Sequence, residues 1–385
     1  MNERNWHELL GRGLSRRQLL RQIAGAGVAL SGIALLAACG DDDGDNDDPA
    51  PTATQPASAS TQPAASPSAA AATQPASPVS SAFPVAIEHK FGTTEIASEP
   101  ARVVTIGFSE QDAVLALGVT PVAVREWFGE QPYAVWPWAQ DALGDGEPTV
   151  LTLTFGELDF EAVAALEPDL LIATHSGITE TEYGTLAGIA PTLAQSADYP
   201  DFGMPWQEQT RSIARALGRE EQAEALIAEV DGAIADAAAA NPEFAGATIA
   251  WASPGGDGTY WAVGPNTPPL RFLSALGFTL SDDLTAAIGD LDSAQISAEQ
   301  LNLLDADVLI IQASTDEERT LIEEDALFQQ LDAVQEGRTV FFIGLEDPVY
   351  ASLSFSTVLS LPFALDELPS MLAAALQGNG ATPTS

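Results

Sequence analysis

The sequence predicts an α/β protein of two lobes joined by a single long connecting helix, with the ligand cleft between the lobes. Three observations predict it. Short apolar runs of strand length, such as Arg102-Val103-Val104-Thr105-Ile106 and Val308-Leu309-Ile310-Ile311, alternate with helix-length segments, the pattern of a parallel sheet. This alternation occurs twice, and between the two occurrences runs a helical stretch from Trp206 to about Ala240, broken only at Gly218. The segment Leu158 to Ile172 of the first half also returns in the second as Ile296 to Ile310, with glutamate, leucine and aspartate at matching places.

Residues 1–38 read as an export signal. Ser15-Arg16-Arg17-Gln18-Leu19-Leu20 is similar to a twin-arginine motif, and Leu35-Leu36-Ala37-Ala38-Cys39-Gly40 is similar to a lipobox, whose cysteine is acylated after cleavage. Cys39 would then be the first residue of a mature chain held outside the cytoplasm by lipid alone. The apolar run from Ile23 to Ala38 is shorter than the ~20 residues a spanning helix needs. With Cys39 the sole cysteine, no disulfide is available and stability must come from a buried core. Residues 39–82 are Asp-rich, then Ala, Pro, Ser, Thr and Gln, without periodic apolar positions; they read as a disordered tether that keeps the folded part on the order of 35 Å from the anchor.

The N-terminal lobe spans residues 83–218. It opens with Val85-Ala86-Ile87-Glu88-His89-Lys90, continues through the strand at Val103 and a helix from Glu110 to Leu117 closed by Gly118, and adds strands at Pro121 to Val124 and Leu170 to Ala173. Residues 219–245 form the connecting helix, ended by Asn241-Pro242; Ala223, Leu226, Ile227, Val230 and Ile234 fall on one face, which must be packed. The C-terminal lobe, 246–378, repeats the plan with strands at Thr248 to Trp251, Tyr260 to Val263, Val308 to Ile311 and Val340 to Ile343 and a helix from about Leu270 to Leu276. Residues 379–385 are a disordered tail.

Charge excludes several partners. Fourteen basic residues stand against 55 acidic ones, a net charge of -41 and a pI near 4.1, and Lys90 is the lone lysine, so nucleic acid and anionic lipid are not expected partners. Of the three histidines only His89 and His175 lie beyond the signal, too few to build a zinc or manganese site, and no cofactor is expected.

In the repeat, Asp159 and Ser297 are placed to cap a short helix, an acidic turn follows, and a buried strand closes the unit. Glu161 and Glu299 occupy equivalent places in the first helical turn, where the helix dipole favours a carboxylate. From Phe83 to Leu376 the chain resembles the substrate-binding lipoproteins of iron-siderophore ABC importers, class III periplasmic binding proteins that include ferrichrome, enterobactin and cobalamin binders. The resemblance rests on Phe91-Gly92-Thr93-Thr94, Arg102-Val103-Val104, Ala116-Leu117-Gly118-Val119-Thr120-Pro121-Val122, Leu166-Glu167-Pro168-Asp169-Leu170, Val263-Gly264-Pro265-Asn266 and Asp305-Ala306-Asp307-Val308-Leu309. It implies two Rossmann-like lobes, capture of a ferric siderophore by a monomer, and delivery to a membrane permease whose arginines receive one glutamate from each lobe, here Glu161 and Glu299. It also implies no catalysis.

Ligands of two-lobed α/β proteins lie at the carboxyl ends of the strands, so the loops there are the candidates. The loop after Val124, from Arg125 to Trp138, carries Arg125, Trp127, Tyr133, Trp136 and Trp138, three of the seven tryptophans; such platforms with one cation suit a bulky, partly apolar ligand. At least one of Trp136 and Trp138 is expected to be core. Further candidates are His175 after the strand at Leu170, Tyr260, Trp261 and Arg271 in the second lobe, and Tyr350 and Phe355 late in the chain. Arg125 and Arg271 are the cations near these loops, whereas Arg211, Arg215 and Arg219 decorate the connector. Binders of triscatecholates in the resembled family present a basic cluster, and here the turn that often holds an arginine reads Thr267-Pro268-Pro269, so a neutral or cationic ferric trishydroxamate fits better. A cobalamin or haem binder would use the same rings. An extracellular hydrolase lacks support: Gly107-Phe108-Ser109-Glu110-Gln111 misses the second glycine of a nucleophile elbow.

Overall fold

A computed structural model describes residues 82–152, 158–256 and 258–380. The export signal, Cys39, the tether and most of the tail lie outside the described residues.

Val85–His89 (β1) and Gly92–Ile96 (β2) pair as an antiparallel hairpin, fastened to the first lobe where Thr94 Oγ1 donates to the Thr192 carbonyl. Val103–Thr105 (β3), Ala123–Arg125 (β4), Thr149–Leu151 (β5), Leu170–Ala173 (β6) and Thr192–Ala194 (β7) form a five-stranded sheet, all parallel, in the order β5-β4-β3-β6-β7. Every residue of β3 and β6 is buried, as continuous apolar runs covered on both faces require. The crossovers carry Glu110–Ala116 (α1), Pro137–Leu143 (α2), Phe160–Ala165 (α3) and Glu180–Ala187 (α4).

Trp206–Leu217 (α5) ends at Gly218, whose φ of 67° is left-handed; a Cβ there would stand 2.8 Å from the Phe83 ring, so both conformation and space demand glycine. Glu220–Ala240 (α6) follows, burying Ala223, Ile227, Val230 and Ile234 as the periodicity predicts.

The second lobe holds Ile249–Gly256 (β8), Thr259–Val263 (β9), Ser293–Ile296 (β10), Val308–Ala313 (β11) and Thr339–Ile343 (β12) in the order β10-β9-β8-β11-β12. Its sheet departs from the expected all-parallel arrangement. β8, β11 and β12 are parallel, but β9 is antiparallel to both neighbours; the two-residue link from Gly256 to Thr259 leaves no chain for a crossover from β8 to β9. Helices Pro268–Ala275 (α7), Asp282–Ile288 (α8), Asp316–Glu324 (α9), Asp332–Gln335 (α10), Pro348–Phe355 (α11) and Ser360–Leu376 (α12) complete the lobe. α12 and α5 both lie against α6, so the connector is packed and not a free linker.

The repeat is realised unequally. Asp159 caps α3 by accepting from the Ala162 N–H at 2.9 Å, but Ser297 makes no such cap: its hydroxyl donates to Gln300 Oε1, and Ala298–Leu304 winds as a 3₁₀ helix. The aspartates are used alike. Asp169 accepts from the Ala101 and Arg102 N–H groups, both at 2.8 Å, and Asp307 accepts from the Thr248 N–H at 2.8 Å and its hydroxyl at 2.9 Å. Each ties the start of one parallel strand to the start of its neighbour, β6 to β3 and β11 to β8. Replacing either Asp169 or Asp307 by alanine should cost about 1 kcal/mol in urea unfolding, with the two effects adding, since they lie in different lobes.

Candidate functional site

Four strand ends of the first lobe deliver the site. Phe108 follows β3, Arg125 ends β4, His175 follows β6 and Phe202 follows β7. The Arg125 guanidinium lies over the Phe108 ring, 4.3 Å from its centroid, and Nη1 donates to the Ile106 carbonyl at 3.2 Å. Around it the rings interlock: Trp127 meets Phe108 at 5.4 Å, Phe128 at 4.9 Å and His175 at 6.2 Å, and Phe202 meets His175 at 5.2 Å. Trp136 stacks on Trp138 at 5.1 Å with their planes 6° apart. Gly129 makes this possible, for a Cβ there would fall 2.4 Å from the Trp136 ring. The second lobe contributes Phe355, at 5.1 Å from Trp127 and 5.3 Å from Trp138. Rings of both lobes thus touch directly. Pockets of about 330 Å³ lie outside this cluster, one between Glu88, Asp198, Arg211 and Arg215, another between Trp206, Ile234, Pro268 and Arg271.

The polar floor is built on the first turn of α1. Glu110 is wholly buried; its Oε1 accepts from the His175 N–H at 2.7 Å and its Oε2 from the Ser109 N–H at 3.2 Å. Burial pushes its carboxyl up to about 7, against the pull of those donors and of Arg125. Burial likewise lowers the Arg125 guanidinium, opposed by Glu110. Asp112, also wholly buried, accepts on Oδ2 from the Trp138 indole at 2.8 Å and from the Thr357 hydroxyl of the second lobe at 2.5 Å; burial raises its carboxyl to about 6. His175 Nδ1 pairs with Ser109 Oγ at 3.0 Å, and burial, then Arg271, hold its imidazole down at about 4, so it is neutral at physiological pH. Arg271 spans the lobes by donating to the Gly203 carbonyl at 3.0 Å.

Of the residues singled out from sequence, Arg125, Trp127, Trp136, His175 and Phe355 come together, with Trp136 buried as core, and Arg271 borders them. Tyr133 does not join them: it is 37 % exposed and donates to Glu147 Oε1. Tyr260 and Tyr350 turn into the second lobe instead, Tyr260 stacking on Phe328 and Tyr350 packing against Trp251 and Phe342. The alternation along β9 explains the first, since Tyr260 takes the core face and Trp261 the opposite, half-buried one. Glu161 and Glu299 are exposed, each in the first turn of its short helix. Sequence reasoning missed Phe108, Glu110, Asp112, Phe202 and Thr357. The run Glu110-Gln111-Asp112 at the start of the helix after a buried strand was the available signal: all three side chains are buried, and Glu110 and Asp112 find donors where the Gln111 amide finds no side-chain partner among the described residues.

A family profile described as "Periplasmic binding protein" matches residues 103–343. The Fe(3+)-citrate-binding protein YfmC of Bacillus subtilis is 28% identical over 258 residues, 66% of this chain and 76% of that protein. A periplasmic solute binding protein from Mycobacterium smegmatis superposes with a TM-score of 0.68 at 34% identity, covering 76% of this chain and 98% of that one. PiaA of Streptococcus pneumoniae, solved in complex with ferrichrome, superposes at 0.67 with 26% identity, covering 76% of this chain and 99% of that one.

The raised carboxyls set a pH dependence. A group whose folded pKa lies above its unfolded value contributes stability that is full below the unfolded pKa and is lost as pH rises through the folded one. For Glu110 and Asp112 that window runs from about pH 4 to 8, while His175, shifted down, acts in the opposite sense. Thermal unfolding of the protein and of Glu110→Gln between pH 5 and 8 should therefore show the variant gaining on the parent as pH rises; parallel curves would contradict the burial of an ionisable Glu110.

Proposed function

The chain belongs to the periplasmic binding protein family, and from that premise we propose that it is the extracytoplasmic substrate-binding component of an ABC importer, capturing a ferric siderophore of the hydroxamate type. The observation that carries the reading is the meeting of rings from both lobes, Trp127 and Trp138 with Phe355, beside a buried guanidinium that lies over Phe108. A chelated ferric ion already has its coordination satisfied, so the protein needs only to recognise the outer surface of the complex by stacking and hydrogen bonds. In a strongly acidic molecule whose candidate wall holds Arg125 and Arg271 as its cations, a neutral or cationic complex is favoured over a multiply charged catecholate. The solved relative that holds ferrichrome supports the same class. Arg125, Trp127, His175, Phe355 and Arg271 form the binding wall in this reading.

Export through the twin-arginine motif and acylation at Cys39 would hold the protein at the outer face of the cytoplasmic membrane, where, as a monomer, it meets its permease. Glu161 and Glu299, exposed at equivalent places in the two lobes, are the docking carboxylates for arginines of the permease.

Tryptophan fluorescence should be quenched saturably by ferrioxamine B and not by ferric enterobactin, cobalamin or haem at matched ionic strength; a response confined to the tetrapyrroles would overturn the siderophore reading. Replacing Glu161 and Glu299 together by alanine should leave that quenching unchanged while abolishing uptake of the iron complex by cells. Weakened binding in the double variant would remove them from the docking role.

A further inference from the structure

We propose that Asp112 is the positioning residue of the cleft, a buried carboxylate that sets the spacing of Trp138 and Phe355 by holding one hydrogen-bond donor from each lobe on a single oxygen. Trp138 belongs to α2 of the first lobe; Phe355 ends α11 of the second, two residues before Thr357. Their rings stand 5.3 Å apart, and Asp112 Oδ2 bonds the indole of one and the hydroxyl beside the other. The direction of each bond is fixed. An indole N–H can only donate. The Thr357 hydroxyl accepts from the Ser360 N–H at 3.0 Å, while Ser360 Oγ accepts from the Thr357 N–H at 2.8 Å, a reciprocal pair that turns the threonine proton toward Asp112. Ring contacts alone let two surfaces slide, whereas two directional bonds to one buried oxygen fix distance and angle.

Asp112 Oδ1 is buried with no protein partner, so a proton taken up by this carboxyl has its place there and leaves both bonds at Oδ2 intact but weaker. Nothing else charged acts on Asp112 among the described residues: on α1 Glu110 turns to His175 and Arg125, on α5 Arg211 pairs with Glu208 and Arg215 bonds the Ala86 carbonyl, and Asp141 of α2 and Asp366 and Glu367 of α12 are exposed. Titration of Asp112 is therefore readable through Trp138. The affinity part of the test rests on the siderophore reading; the spectroscopic part does not.

The experiment follows the indole N–H resonance of Trp138 in the ligand-free full chain, identified by its loss in Trp138→Phe, from pH 4.5 to 8 beside Thr357→Val and Thr357→Ser. In the parent the resonance should move upfield as pH falls, with a midpoint near 6. Thr357→Val removes a donor that stabilises the ionised form, so its midpoint should rise, and ferrioxamine B should bind about tenfold more weakly. Thr357→Ser should restore the midpoint and bring affinity to within about twofold of the parent. A resonance that does not titrate, a valine variant with the parent's midpoint, or a serine variant no better than valine would overturn the proposal. A parent that does not bind ferrioxamine B would count against the ligand reading alone, and the three midpoints would still decide the role of Asp112.

Discussion

A carboxylate removed from water must be given donors, and the first turn of α1 buries two. Glu110 takes its donors from the backbone after β3 and β6, which fixes how those two strand ends approach each other. Asp112 takes its donors from Trp138 and Thr357, which fixes how the aromatic loop of one lobe meets the last loop of the other. An unpaired charge in either place would cost several kcal/mol, so the surrounding chain is held to the geometry that supplies the bonds. The aromatic cluster is arranged around that requirement: Arg125 sits close enough to Glu110 to feel its charge, and Phe108 lies beneath the guanidinium.

Outside the cleft the two lobes solve one problem with shared parts. Asp169 and Asp307, matched in the repeat, each pin two adjacent parallel strands at their starts, where sheet hydrogen bonds have yet to begin. The lobes differ where chain length changes the options. A tight hairpin from β8 to β9 forces antiparallel pairing, and the helix bearing Glu299 winds as 3₁₀ where that bearing Glu161 is α. The fold can therefore be kept while local hydrogen bonding varies. The connector makes the same compromise at Gly218, a left-handed residue that turns the chain from α5 into α6 without losing packing against Phe83.

The sequence by itself determined the two α/β lobes, the bounds of the paired connector helices and the gathering of aromatic residues after β4, because each is written in short-range periodicity and in Gly, Pro and capping residues. It also singled out Arg125, Trp127 and His175, since residues just beyond buried strands share one end of a sheet, and Phe355 from a late stretch that folds as a helix. Only the tertiary structure decided which face of its element each neighbouring ring takes. Tyr260 and Trp261 differ by one position on a strand, and pleating sends them to opposite faces; Tyr350 lies on a helix whose turn directs it to Trp251 while Phe355 reaches Trp127. The partners of Asp112 were beyond sequence altogether. Thr357 stands 245 residues away along the chain, and nothing local to either residue encodes a hydrogen bond that exists only when both lobes are folded against each other.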